Sequence, residues 1–264
     1  MTEINRRQAL SALGTISLAS LLAACRTGEQ TVTTAEVTTT SGATTTIQPQ
    51  TTGQPQTTGT IATGSLNEQF DQAATCSISP ELTEGPYYFD VDSIRSDIRE
   101  DREGTRLRLA VRVREAGACT PIANAVVDVW HCDATGLYSG FESASQGGPG
   151  GSGGPTDEET YLRGAQVTNS DGIVEFVTVY PGWYRGRTVH IHVKVHLDSS
   201  TVLTTQFFFD EVDNSEVYAN EPYASDTGRD VFNDTDGIFD DQLVLTTTTD
   251  GDGYLSLITL DVTA

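Results

Sequence analysis

Apolar and polar residues alternate almost without fault over residues 105–114. Leu107, Leu109, Val111 and Val113 share one side of the period, and arginines with Ala110 share the other. A period of two predicts a half-buried antiparallel strand. Further β-branched and aromatic runs at 125–131, 173–180, 189–197, 203–209, 242–245 and 254–262 predict more strands. Turn clusters such as Asn169-Ser170-Asp171-Gly172 and Asp250-Gly251-Asp252-Gly253 separate them. No long helical period appears. The expected fold is all-β: one antiparallel β-sandwich domain over residues 71–264.

The first 70 residues follow neither period. Residues 1–25 read as an export signal, with Arg6 and Arg7 as a twin-arginine pair before an uncharged stretch too short to span a bilayer. Leu22-Ala23-Ala24-Cys25 resembles a bacterial lipobox, so the chain is expected to be exported and lipid-anchored at Cys25, facing the periplasm or the cell surface. That lipid is the only membrane contact expected. Residues 26–70 are rich in Thr, Ser, Gly, Gln and Pro, have little to bury, and read as a disordered tether. As a coil it would reach roughly 35–40 Å.

Charge narrows the partners. With 15 Lys and Arg against 37 Asp and Glu the formal net charge is −22, which excludes nucleic acid and a basic lipid-binding patch. It also disfavours strongly anionic substrates unless arginines at the site offset it. With Cys25 assigned to lipid, a Cys76–Cys119 disulfide is favoured because both residues lie beside turns, leaving Cys132 a buried free thiol. The run Asn233-Asp234-Thr235-Asp236-Gly237 fails the spacing of a helix–loop–helix calcium site and reads as a solvated acidic face. Residues 146–155 form a Gly-rich surface insertion.

The densest chemistry lies in residues 181–196, PGWYRGRTVHIHVKVH, which hold three of the four histidines. On a strand, His190 and His192 project from one face roughly 6–7 Å apart, a spacing that lets both reach one metal ion. Tyr184 sits six positions earlier in a turn. No carboxylate or cysteine stands at ligand spacing, which argues against structural zinc and against a two-His-one-carboxylate iron(II) site. A phenol has an ordinary pKa near 10 and serves as a ligand only to an ion of high charge, such as a trivalent one.

Trp130-His131-Cys132-Asp133-Ala134-Thr135-Gly136-Leu137-Tyr138-Ser139 resembles the WH-x-x-x-x-G-x-Y-S segment of the intradiol ring-cleavage dioxygenases. Arg187-Thr188-Val189-His190-Ile191-His192 is similar to their R-x-x-H-[IV]-H element, and Thr83-Glu84-Gly85-Pro86-Tyr87-Tyr88 to their N-terminal signature. With Gln206 near Phe207, four such elements stand in the family's order. The resemblance implies a β-sandwich enzyme with Tyr138, Tyr184, His190 and His192 as ligands of non-haem iron(III). Tyr138 would stay bound and Tyr184 would leave when substrate arrives, while Arg187 and Gln206 would flank the substrate. It implies cleavage of catechols by O2 between the two hydroxyl-bearing carbons, giving cis,cis-muconate-type products. His131 falls in the motif as a non-ligand, His196 reads as polar or solvated, and Tyr87 and Tyr88 either line the pocket mouth or pack.

The chain departs from the cytosolic members of that family in a short interval from Tyr184 to His190 and in lacking their helical N-terminal dimerisation region. Their dimeric state is therefore not carried over, the oligomeric state stays open with a monomer among the options, and the trimmed loop implies a site open to bulkier catechols alongside catechol itself. Two other readings stay open: a non-catalytic β-sandwich binding lipoprotein with a vestigial metal site, and a copper or zinc site using His190 and His192 alone.

Overall fold

Two β-sheets face each other across a core built from the alternation described above. The computed structural model describes residues 4–5, 65–70, 76–146 and 154–264. The expected signal segment, apart from residues 4–5, the tether up to residue 64 and most of the Gly-rich insertion lie outside the described residues. The strands are β1 (Ile4–Asn5), β2 (Ser93–Ile94), β3 (Arg106–Glu115), β4 (Val126–Trp130), β5 (Arg163–Val167), β6 (Ile173–Val179), β7 (His190–Leu197), β8 (Ser200–Phe208), β9 (Thr246–Asp250) and β10 (Gly253–Val262). Helices are short: α1 (Leu66–Phe70), α2 (Glu142–Ser145) and α3 (Glu211–Val217). One sheet has the order β1-β2-β5-β4-β7-β8 and the other β6-β3-β10-β9.

The expectation of a purely antiparallel sandwich is corrected. β10 runs parallel to β3 from Tyr254↔Leu107 to Val262↔Glu115, and β2 meets β5 in parallel. Side-chain alternation is the same in both ladder types, so the period of residues 105–114 carries no information about the neighbour's direction. The half-buried reading of that strand is corrected too. Its inner side, Leu107, Leu109, Val111 and Val113, joins Val127, Val129, Phe176, Ile191, Val193, Val195 and Leu260 in the main core. Its outer side is covered as well from Ala110 to Arg114, while Arg106 and Arg108 stay partly exposed. Phe70 of α1, inside the stretch expected to be tether, packs with Ala110, Leu255 and Leu257 and lies under the Arg112 guanidinium. Arg114 is buried in a two-pronged pair with Asp261. A cation can occupy a covered face when a carboxylate on the neighbouring strand meets both prongs.

β5 and β9 carried no strand signal in the sequence. β9 reads Thr-Thr-Thr-Thr-Asp and is a largely exposed edge strand, so no apolar alternation marks it. The expected strand at 242–245 is instead a 3-10 turn at Asp241–Leu243 leading into β9. Cys76 and Cys119 form the expected disulfide, and Cys132 is a buried free thiol.

Candidate metal centre

Strand register gathers the first groups. Trp130 pairs with Arg163 on β5 and with His192 on β7, and His192 pairs with Gln206 on β8. Directly opposed residues project from the same face, so Arg163, Trp130, His192 and Gln206 form one row across the outer side of the six-stranded sheet. His190 stands two residues along β7 on that face. Trp130 stacks on His192, with ring centroids 4.9 Å apart and planes 6° apart, which fixes the imidazole.

Loops close over this row. Tyr138, fully buried, follows β4, and Tyr184 lies in the turn before β7 at a partly exposed position. His190 Nε2 is 3.4 Å from Tyr138 Oη, 3.1 Å from Tyr184 Oη and 3.1 Å from His192 Nε2. Ligands bound about 2 Å from a single ion stand about 3 Å from one another. Four residues expected to share a site are therefore brought together, two of them from loops 52 and 6 positions away from His190.

The donor chemistry fits a metal ion. His190 Nδ1 lies 2.6 Å from the Thr188 carbonyl, to which it donates, so the neutral ring presents an unprotonated Nε2 to the cluster. Burial, helped by Arg187, lowers His190 to about 3. Burial, with His190 beside it, drives His192 down as well. Burial pushes the Tyr138 phenol well above its ordinary value, with Tyr184 adding to the shift, and raises Tyr184 against the opposing pull of Arg187. Two phenols and two imidazoles thus stand neutral around one point. A multivalent cation there would turn the phenols into phenolates, as bound cations do for water and thiols. Among the described residues, no group of three or more His, Cys, Asp or Glu converges on a metal-binding point.

Among the groups that support the cluster, Arg163 and Ser145 carried no signal in the sequence. Arg163 is 1% exposed. It donates from Nε to Ser139 Oγ and from Nη2 to the Ser139 carbonyl, both at 2.8 Å, and lies over the Phe89 ring. Together with the Ser145 hydroxyl, which accepts from the Tyr138 amide at 3.0 Å, it holds the Tyr138 turn. Thr83, Glu84, Gly85 and Tyr88 form a strap across the row. Gln206 Nε2 donates to the Thr83 carbonyl at 2.8 Å, Lys194 pairs with Glu84, and Tyr88 donates to Asp128 at 3.1 Å.

Arg187 donates from Nη2 to Gln206 Oε1 at 2.6 Å and from Nε to Asp236 at 2.9 Å. Burial works against the charged form of Asp236, but backbone amides and Arg187 outweigh it and hold the carboxyl below its usual range. His131 is bound on both nitrogens, to the Cys132 carbonyl and the Thr178 hydroxyl, in keeping with a structural role. His196 is 5% exposed, which corrects its solvated reading. Tyr87 packs 4.9 Å from the Tyr138 ring, while Tyr88 lies against Trp130 and Lys194.

A family model described as Dioxygenase matches residues 79–252. Chlorocatechol 1,2-dioxygenase of Rhodococcus opacus is 30% identical over 43% of this chain and 47% of its own length. Catechol 1,2-dioxygenase 1 of Acinetobacter lwoffii is 30% identical over 49% of this chain and 45% of its own length. The chain thus spans a little under half the length of these curated relatives. Coverage is fuller among solved structures. The intradiol ring-cleavage dioxygenase from Tetranychus urticae is 36% identical with a TM-score of 0.67, over 71% of this chain and 95% of that one. The dioxygenase domain of a carbohydrate-binding fusion protein from Streptomyces sp. SirexAA-E is 29% identical with a TM-score of 0.53, over 71% and 99%. With the matched model covering most of the β-sandwich and the Tyr/His cluster inside it, the chain belongs to the intradiol ring-cleavage dioxygenase family.

Proposed function

We propose that this protein holds iron(III) between Tyr138, Tyr184, His190 and His192 and uses O2 to open catechols between their two hydroxyl-bearing carbons, giving muconate-type diacids. The convergence of both phenols and His192 on His190 Nε2 carries this reading. Iron(III) bound there supplies the Lewis acidity that holds a catechol in its deprotonated, electron-rich form and opens its ring to O2.

The chain's own residues divide the remaining work. Tyr184 is partly exposed on a turn, whereas Tyr138 is fully buried and pinned through Ser139 and Ser145. Tyr184 is therefore the group free to swing away, its Oη taking a proton from the incoming catechol. The Arg187 guanidinium, beside Tyr184 and His190, gives charge-assisted hydrogen bonds to the anionic ring. Gln206 links Arg187 to the strap that covers His192. Export with a lipid on Cys25 completes the proposal, supported by the Cys76–Cys119 disulfide, which suits an oxidising compartment. It predicts that a Cys25→Ser variant leaves the membrane fraction.

Iron-loaded protein is expected to be red-brown from tyrosinate-to-iron charge transfer, to consume O2 with a panel of catechols, and to lose colour on chelation. Protein without iron or colour, or colour that persists in a Tyr138→Phe/Tyr184→Phe double variant, would refute the assignment. Products opened outside the two hydroxyl-bearing carbons would refute the intradiol reaction.

A further inference from the structure

The segment 226–240 carries five aspartates, and its run Asn233–Gly237 reads in sequence as a solvated acidic face, but Asp236 is not solvated. Its side chain is 2% exposed. One carboxylate oxygen accepts Arg187 Nε at 2.9 Å and the Thr188 amide at 2.8 Å, and the other accepts the Ile238 amide at 2.8 Å. The neighbouring residues are fixed with it. Thr188 Oγ1 donates to Asn233 and accepts from Arg229, which is held by both oxygens of Glu211, and Asn233 donates to the Phe209 carbonyl. The segment is thus tied by hydrogen bonds to the turn that carries Arg187 and Thr188, beside the metal centre.

Arg187 needs such an anchor. It follows Gly186, which has a φ of +85° and open space around it, so the local backbone does little to restrain the side chain. A free arginine side chain samples many rotamers, and that freedom is lost when it is fixed for binding. Here Nε is held by Asp236 and Nη2 by Gln206, and among the described residues Nη1 makes no hydrogen bond. Two of three nitrogens are clamped and one edge is left over for a ligand.

We infer that Asp236 is a positioning residue: it holds Arg187 with its free edge ready for the catecholate, so that the charge-assisted bonds form without reordering the side chain. This rests on the intradiol reading above.

The test is a double-mutant cycle of Asp236→Asn and Arg187→Met in iron-loaded protein. Steady-state turnover is measured together with anaerobic binding of 4-nitrocatechol, followed by its visible absorption. Asp236→Asn is expected to lower kcat/KM and nitrocatechol affinity about tenfold while iron content and the tyrosinate band stay as in wild type. In the Arg187→Met background it should change neither quantity further. Asp234→Asn, at an exposed position of the same segment, should match wild type. Equal losses in both backgrounds would show a merely structural Asp236 and overturn the inference, as would wild-type affinity in Asp236→Asn. Should Asp236→Asn not fold, Asp236→Glu, which keeps the charge on a longer arm, is read through the same cycle. Wild type that binds nitrocatechol but opens no ring refutes the functional reading and leaves the cycle readable.

Discussion

Gly85→Ala tests whether the strap and the metal-ligating face share one tight contact. Gly85 has a φ of +72°, and a Cβ placed there would lie 3.0 Å from His192 Cε1. A left-handed alanine costs about 1–2 kcal/mol through its own backbone. The contact adds a second demand, because the neighbour must yield by a few tenths of an ångström. Neither side has slack. His192 is stacked on Trp130 and paired with Gln206 in the ladder, and the strap is tied at Thr83, Glu84 and Tyr88. The imidazole therefore has to shift within the metal centre, where a misplacement of about 1 Å costs about a hundredfold in rate and a few tenths about tenfold. Gly117→Ala is the control, with a φ of +80° and nothing within 4 Å. Calorimetry should show both variants melting roughly 2–8 °C lower, as about 1–2 kcal/mol gives in a domain of this size. Only Gly85→Ala should lose turnover and shift the tyrosinate band. If it matches Gly117→Ala in rate and spectrum, the strap does not constrain His192 and the reasoning fails.

Replacing both Cys76 and Cys119 by Ser opens a bridge between residues 43 apart in sequence, worth about 4 kcal/mol by loop entropy and roughly 8–16 °C in Tm. A loss below about 1 kcal/mol in calorimetry would mean that the unfolded chain is already restrained without the bridge. His131 adds a pH dependence. Burial lowers it from 6.5 to about 4, so it stays neutral in the fold while the unfolded chain takes up a proton. Its contribution is intact above pH 6.5 and is lost as pH falls toward 4, by about 1.4 kcal/mol per unit. Urea unfolding of iron-free protein at pH 7 and pH 4.5 should show wild type losing about 2–3 kcal/mol more than His131→Gln. Parallel losses in the two proteins would refute it.

Strands β4 and β7, which carry Trp130 and the two imidazoles, were legible in the sequence because apolar positions along them are set by the core they line, as they are in β3 of the facing sheet. β5 and the edge strand β9 were not, since neither shows that alternation, and β5 nonetheless places Arg163 in register with Trp130. Asp236 was hidden for a related reason. An aspartate in an acidic run looks the same whether it faces water or a guanidinium, and only the approach of residues 226–240 to Thr188 separates the two cases.

Apart from Tyr138, which only the family resemblance supplied, the sequence by itself determined the kind of chemistry available: two imidazoles on one strand face, the Tyr184 phenol and the Arg187 guanidinium shortly before them, and no carboxylate at ligand spacing. Those are properties of residue type and of a period of two, which the chain carries wherever it folds as a strand. Only the tertiary structure decided that Tyr138 and Tyr184 meet His190 Nε2, that Thr188 sets its tautomer, and that Asp236 and Gln206 clamp Arg187. Those contacts arise from loops closing over a sheet whose strand order and mixed direction leave no local trace in the chain.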